Sequence, residues 1–371
     1  MRGIATAILL TLLSTGLRSQ VDKDPPVAVQ TDTLKADKLQ LMAIPLVFYT
    51  PETNLGFGGG AQLFFKTRNT SLVRFNSNVL ATVLYTLNDQ LIVSATSQTY
   101  FLNGNYILDA KFLYRVFPNL FWGIGPETPD ENEEFYSPTD LTLDASFLKR
   151  VHSNFNFGLN FSFANYRITE IEPEGILDTA DIEGSDGART LGLGLVLNID
   201  SRDNTFSPLM GSFSQFKTNF ASRAMGSTHS FNVFQLDLRK YFNLGKNRVL
   251  AAQLYSRFTL GESPFQSRSF YGGGELARGF YRGRYIDDNL YLIQLEYRAP
   301  LGKRWEFAVF ALTGNVGSQS DPADYFSNLK SSVGLGPRFF IYENKRTLLR
   351  LDIGLNSDGS TGLYFGVNEA F

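Results

Sequence analysis

The side chains with the greatest chemical capacity in this 371-residue chain crowd into one stretch, Ser269–Asn289, which reads SFYGGGELARGFYRGRYIDDN. Arg278, Arg282 and Arg284 bring permanently charged forks of N–H donors, and Phe280, Tyr281 and Tyr285 set rings between them. Gly272, Gly273 and Gly274 allow tight backbone turns that other residues avoid. This is the chemistry of charge pairing and anchoring, not of bond making. His152 and His229 are the two histidines, far apart in sequence, and neither lies in a recognisable serine motif. A Ser/His/acid site therefore lacks its parts. Gly272–Gly274 is followed neither by a helix nor by the Lys-Ser/Thr of a phosphate loop. The acidic runs Glu127–Glu134 and Glu170–Glu183 have no ordered ligand spacing and read as solvated loop charge. No enzyme activity, cofactor or metal is expected.

A long basic and aromatic loop needs an enclosure, which the inside of a wide β-barrel provides. With no cysteine, the chain holds no disulfide, thiolate metal site or lipid anchor on cysteine. Its formal net charge of -2 is too weak to favour nucleic acid. Residues 1–20 read as a secretory signal peptide: Arg2, an apolar centre Ile4–Leu13, then a cleavage region near Leu17–Gln20. Residues 21–43 are polar, contain Pro25-Pro26, and read as a periplasmic linker.

From Ile44 onward the chain alternates with period two, the pattern of strands with unlike faces. In His152–Ala164, Phe155, Phe157, Leu159, Phe161 and Phe163 share one face, and Asn154, Asn156, Gly158, Asn160 and Ser162 the other. Leu191–Ile199 and Thr347–Leu355 repeat the contrast. The polar faces are unlike a packed apolar core, and the length suits the ~9–11 residues of a membrane-crossing strand. Sixteen strands are expected, at 44–50, 56–66, 72–84, 89–101, 105–117, 139–150, 152–166, 188–200, 210–221, 228–242, 247–260, 288–300, 304–315, 329–342, 346–356 and 360–371. Short and long connections alternate along much of the chain, which suits a barrel with a periplasmic and an outer rim. The expected fold is all-β: a sixteen-stranded antiparallel transmembrane β-barrel over 44–371, with a long inward-folded loop.

The Ala277-Arg278-Gly279-Phe280 core resembles the VRGF/VRGY motif of the inward loop in the BamA/TamA superfamily of outer-membrane barrels, the bacterial surface antigen family. Pro45–Gly60, PLVFYTPETNLGFGGG, resembles its opening hairpin, and Ser201–Gly211, SRDNTFSPLMG, its acidic-Arg-Asp-Asn periplasmic turn. Glu296–Leu301 resembles the strand after the loop, and Phe371, on one face with Leu363 and Phe365, the terminal aromatic insertion signal. The resemblance implies that Arg278, followed by Gly279 and Phe280, reaches into the lumen and pairs with Glu296. The family's second acidic position, in Phe-x-x-Asp-Gly, is here Phe310-Ala311-Leu312-Thr313-Gly314, so the lock is weaker or recruits Asp352. Both faces of Trp305–Leu312 are apolar, which leaves the direction of Thr313 open. About two dozen residues separate the signal peptide from the first strand, too few for one polypeptide-transport-associated domain, so a member lacking those domains is expected.

The function this implies is non-enzymatic, in the bacterial outer membrane: assisting insertion or translocation of proteins, or of lipids, through a weak seam between the first and last strands. Pro45 and Pro51 bound a short first strand and give no N–H to a ladder. Pro45, Val47, Val367 and Phe371 mark that seam. The alternative is a passive channel, or a structural barrel serving a separate periplasmic partner complex. Expected partners are outer-membrane lipids, client outer-membrane proteins and a separate periplasmic subunit, with no nucleic acid.

Overall fold

A computed structural model describes residues 39–67, 77–320, 327–342 and 346–371. The signal peptide and most of the linker lie outside the described residues, as does the start of the strand expected at 72–84. The first strands are β1 (Gln40–Thr50), β2 (Asn54–Phe65), β3 (Ser77–Thr86), β4 (Leu91–Phe101), β5 (Tyr106–Val116) and β6 (Asn119–Phe121). Then come β7 (Glu134–His152), β8 (Phe155–Ile171), β9 (Ala188–Asp200), β10 (Gly211–Ala221), β11 (Phe231–Asn243) and β12 (Val249–Gly261). The long loop holds β13 (Ser269–Tyr271) and β14 (Tyr285–Asp287), and β15 (Asn289–Pro300) leaves it. The chain continues through β16 (Trp305–Gly317), β17 (Lys330–Tyr342), β18 (Thr347–Asn356) and β19 (Thr361–Val367).

Seventeen of these strands form one antiparallel sheet, and β13 and β14 form a separate ribbon. Successive long strands pair in chain order, with β12 joining β15 across the base of the long loop. The three-residue β6, which the alternation did not disclose, pairs along an extension of β7. β1 and β19 run side by side. Among the described residues no ladder pairs them, whereas β1–β2 and β18–β19 are fully registered.

The two sheet faces differ as the alternation requires. On β9, Leu193, Leu195, Leu197 and Ile199 are exposed, while Thr190, Val196 and Asn198 are buried on the loop side. On β8, Phe157 and Leu159 are exposed and Asn156 and Asn160 buried. A face of exposed leucine and phenylalanine opposite buried asparagine is inverted relative to a water-soluble sandwich and suits lipid outside. No helix among the described residues is long and apolar enough to cross a membrane.

Two expectations need correction. The first strand is not short: β1 has 11 residues and begins at Gln40, inside the expected linker. Its partner β2 is rich in glycine, so Pro45 sits within the ladder opposite Gly59 and does not end it. The last strand stops at Val367, not Phe371. Asn368 turns at φ 64°, and Phe371 packs with Tyr241, Val249 and Ala251 on the inner side, not on the face of Leu363 and Phe365.

Candidate functional site

The loop between β12 and β15 folds back over the inner face of the sheet. Its β13–β14 ribbon makes it stiff: Ser269, Phe270 and Tyr271 lie opposite Asp287, Ile286 and Tyr285. Tyr271, Ala277, Phe280 and Tyr285 form a buried core with Leu290, Leu292, Phe310, Leu312 and Val316 of the wall. That packing explains the apolar inner face of β16, which would otherwise face water. At the tip, Gly279 has φ 109°, a conformation that costs side-chain-bearing residues strain, and an added Cβ would lie 3.0 Å from Ser332 Cβ. Gly354 beneath it has no side chain to hold the loop away: a Cβ there would meet Gly279 Cα at 3.0 Å.

Arg278 is fully buried. Its Nη1 donates to Glu296 Oε2 at 2.7 Å and to Asp352 Oδ2 at 2.8 Å. Its guanidinium lies 3.7 Å from the centroid of the Phe310 ring, a cation–π contact. Nε and Nη2 have no hydrogen-bond partner among the described residues, so this is a one-nitrogen bridge plus a ring. The two carboxylates are held by the wall itself. Arg298 Nε reaches Glu296 at 2.6 Å, Arg338 Nη1 reaches Asp352 at 2.5 Å and Arg338 Nη2 Glu296 at 3.3 Å, and Arg350 Nη1 reaches Asp352 at 3.0 Å. Glu369, beyond the last strand, accepts from Arg338 Nε at 3.1 Å. Such a set is stable only when each charge is met on several sides.

Main-chain contacts complete the seat. Tyr364 on β19 accepts from the N–H of Gly279 at 3.1 Å and donates to the carbonyl of Phe280 at 2.7 Å. Asn356 donates to the carbonyl of Gly279 at 2.9 Å, and Ser332 to that of Arg278. On the other side, the N–H of Arg282 donates to Glu52 Oε1 at 2.6 Å, in the turn between β1 and β2. The loop thus bonds to β19 and to the turn that follows β1, the two strands that lack a common ladder.

The motif-derived residues fall as follows. Arg278 and Glu296 meet directly, and Gly279 and Phe280 lie at the same seat. Thr313 is on the outer face of β16, where it accepts from Ser331 Oγ at 2.9 Å; Asp352 takes the second acidic place. Val47 lies on the exposed face of β1 toward Thr50, Val367 ends β19, and Pro45 is within β1. Phe371 is away from the seam residues, its main-chain oxygen accepting from Arg298 Nη2 at 3.0 Å. Arg338, Arg350, Tyr364 and Glu369 were not singled out in the sequence. Alternation signals the first two, since Gly334, Gly336 and Arg338 fall on one face of β17, as do Arg350 and Asp352 on β18. Nothing local signals Glu369, which acts through a turn beyond β19.

A family model, the Omp85 superfamily domain, matches residues 57–371. No curated protein matches the chain. Among solved structures, BamA from Haemophilus ducreyi, in a form lacking POTRA domains 1–3, is similar at 14% identity and TM-score 0.61, over 98% of this chain and 78% of that one. CdiB from Acinetobacter baumannii is similar at 14% identity and TM-score 0.56, over 88% of this chain and 59% of that one. CdiB from Escherichia coli is similar at 10% identity and TM-score 0.58, over 91% and 68%. At such identities the likeness is one of fold. The family match over most of the chain, the loop seated on the sheet and the lipid-suited outer face agree: the chain belongs to the Omp85 superfamily, as a BamA/TamA-type member, and is a protein of the bacterial outer membrane.

Proposed function

We propose that residues 40–371 close into a barrel of sixteen long strands that assists the insertion or translocation of proteins, or of lipids, by parting between β1 and β19. The observation that carries this reading is that these strands run side by side with no ladder among the described residues. Parting β11 from β12 would break a register running from Phe231–Gly261 to Asn243–Val249. Each net bond there is worth roughly 0.5–1.5 kcal/mol in water, and an unmade one costs more in lipid. Parting β1 from β19 avoids that cost. The inner loop, bonded to Tyr364 and to Glu52, bridges the gap from inside and sets how readily it widens. Residues 1–20 serve as the signal peptide and the following segment as a periplasmic linker. Outer-membrane lipids surround the barrel, client outer-membrane proteins enter at the seam, and a periplasmic subunit assists. The work requires no catalysis and no nucleic acid.

Depleting the protein and taking a census of outer-membrane proteins and surface lipid tests this reading. Loss of a subset of either is expected. An unchanged census together with steady solute conductance in planar bilayers would favour the passive channel. Closure has its own test. The purified protein is expected to require detergent and to migrate faster unheated than boiled. A chain that stays soluble without detergent contradicts the barrel.

A further inference from the structure

The connection between β9 and β10, residues 201–210, is long beside the tight turns at 153–154, 244–248 and 301–304 on the same end of the sheet. Its root is stiff. Arg202 grips Asp200 through two bonds, Nε to Oδ1 at 3.0 Å and Nη2 to Oδ2 at 2.7 Å, and lies 4.6 Å from the centroid of the Phe213 ring. Asp203 Oδ1 accepts the N–H groups of Leu209 and Met210, and Asn204 Oδ1 those of Phe206 and Ser207. Side-chain oxygens that bind nearby N–H groups fix the shape of a turn locally.

The long strands pair in chain order, so this turn stands midway between β1 and β19. Its tip nevertheless reaches the far side. The Phe206 ring meets the buried Phe64 of β2 edge-on, with centroids 6.5 Å apart. The Phe206 carbonyl accepts the N–H of Glu369, beyond β19, at 3.2 Å. Arg346, in the turn between β17 and β18, donates from Nε to the Ser207 carbonyl at 2.7 Å and from Nη2 to the Ser207 hydroxyl at 3.0 Å. Ser207 is completely buried, although connections of this kind ordinarily run over the surface. Leu209 packs on the cluster of Tyr241, Val249 and Phe371. The turn is thus held from β2 and from the segment after β19, one on each flank of the seam. These contacts add nothing to the pairing of β9 with β10, which is registered from Asp200–Phe213 onward. What they do is carry the chain across the end of the sheet.

We infer that residues 201–210 form a strap across the periplasmic mouth, which shuts the lumen to that side until the tip is lifted. The inference rests on the proposal that the sheet closes into a barrel, and it does not require the seam to part. The test uses the full chain in detergent with Thr96→Cys as its single thiol. Thr96 lies on the face of β4 that carries the buried Tyr100, toward the lumen. Its labelling by a maleimide carrying a polyethylene glycol chain is read as a gel shift. Labelling is expected to be slow while the strap is seated. Phe206→Ala combined with Arg346→Ala should speed it about tenfold or more, the scale of losing one buried ring and its neighbouring bonds. Met210→Ala should leave the rate unchanged, because that side chain is exposed and the residue holds the turn through its main chain. If the double variant does not fold, Phe64→Cys with Phe206→Cys gives a second measurement: a short bifunctional thiol reagent should join the two positions across the mouth. Heat-modifiable migration separates this inference from the barrel proposal. A chain that keeps it while the release variant labels no faster loses the strap alone, and a chain without it loses the barrel and the strap together. Rapid labelling with the strap intact, or failure to link positions 64 and 206, also overturns the inference.

Discussion

Arg278→Ala is expected to unseat the loop while leaving the barrel folded. The substitution removes a fully buried cation from two carboxylates and a ring at once. Breaking one partner out of a buried ion pair costs about 3–5 kcal/mol. Here the loss falls on the loop, because the wall charges keep one another. Four arginines (278, 298, 338 and 350) share three carboxylates (Glu296, Asp352 and Glu369), so removing Arg278 leaves three of each. Limited proteolysis should show the Gly261–Asp287 segment cut more than about tenfold faster, with heat-modifiable migration retained. Arg282→Ala should do much less, since it keeps the N–H that binds Glu52 and loses no ion pair. Equal cleavage of the two variants would remove the case for a specific lock at Arg278.

Asp352→Asn is expected to act in the opposite place. It leaves four buried arginines with two carboxylates, and its own three partners, Arg278, Arg338 and Arg350, lose their shared counter-charge. The excess charge sits in the wall, where no water replaces the missing oxygen cheaply. The temperature at which the folded band disappears should fall further than for Arg278→Ala. A double variant, Arg278→Ala with Asp352→Asn, should regain part of that loss, because the charges come closer to balance. If the double variant is less stable than the sum of the single ones, charge balance is not what holds the wall.

The sequence discloses the wall better than what fills it. Strand after strand alternates because lipid outside and polar groups inside impose period two, and His152–Ala164 and Leu191–Ile199 carry that pattern in full. It fades at Trp305–Leu312, where both faces are apolar. The reason is tertiary: Phe310 and Leu312 meet Phe280 and Tyr271 of the loop, so the inner face there is a packed core and no longer a wet one. The same packing leaves Thr313 outside, and the acidic role falls to Asp352, two strands away on β18. Arg278 and Glu296 were legible through the motif. Glu369 and Phe371 were not, because the turn at Asn368 reverses the expected facing and no local pattern encodes it. Pro45 points in the sequence to a short first strand, but the glycine-rich partner lets β1 run through it and end only before Pro51.

If function requires β1 and β19 to part, a reversible crosslink between them should abolish it. The native chain has no cysteine, so introduced pairs react without competition. Cysteine at Val47 can be paired in turn with Leu363, Phe365 and Val367, positions that share the outer face of β19, to find the register that closes fully. In cells depleted of the native protein, the reduced form is expected to restore the outer-membrane protein and lipid census. The fully oxidised form should not, and reduction should bring it back. Full restoration by a quantitatively crosslinked chain would rule out parting at the seam and make the interior the working route.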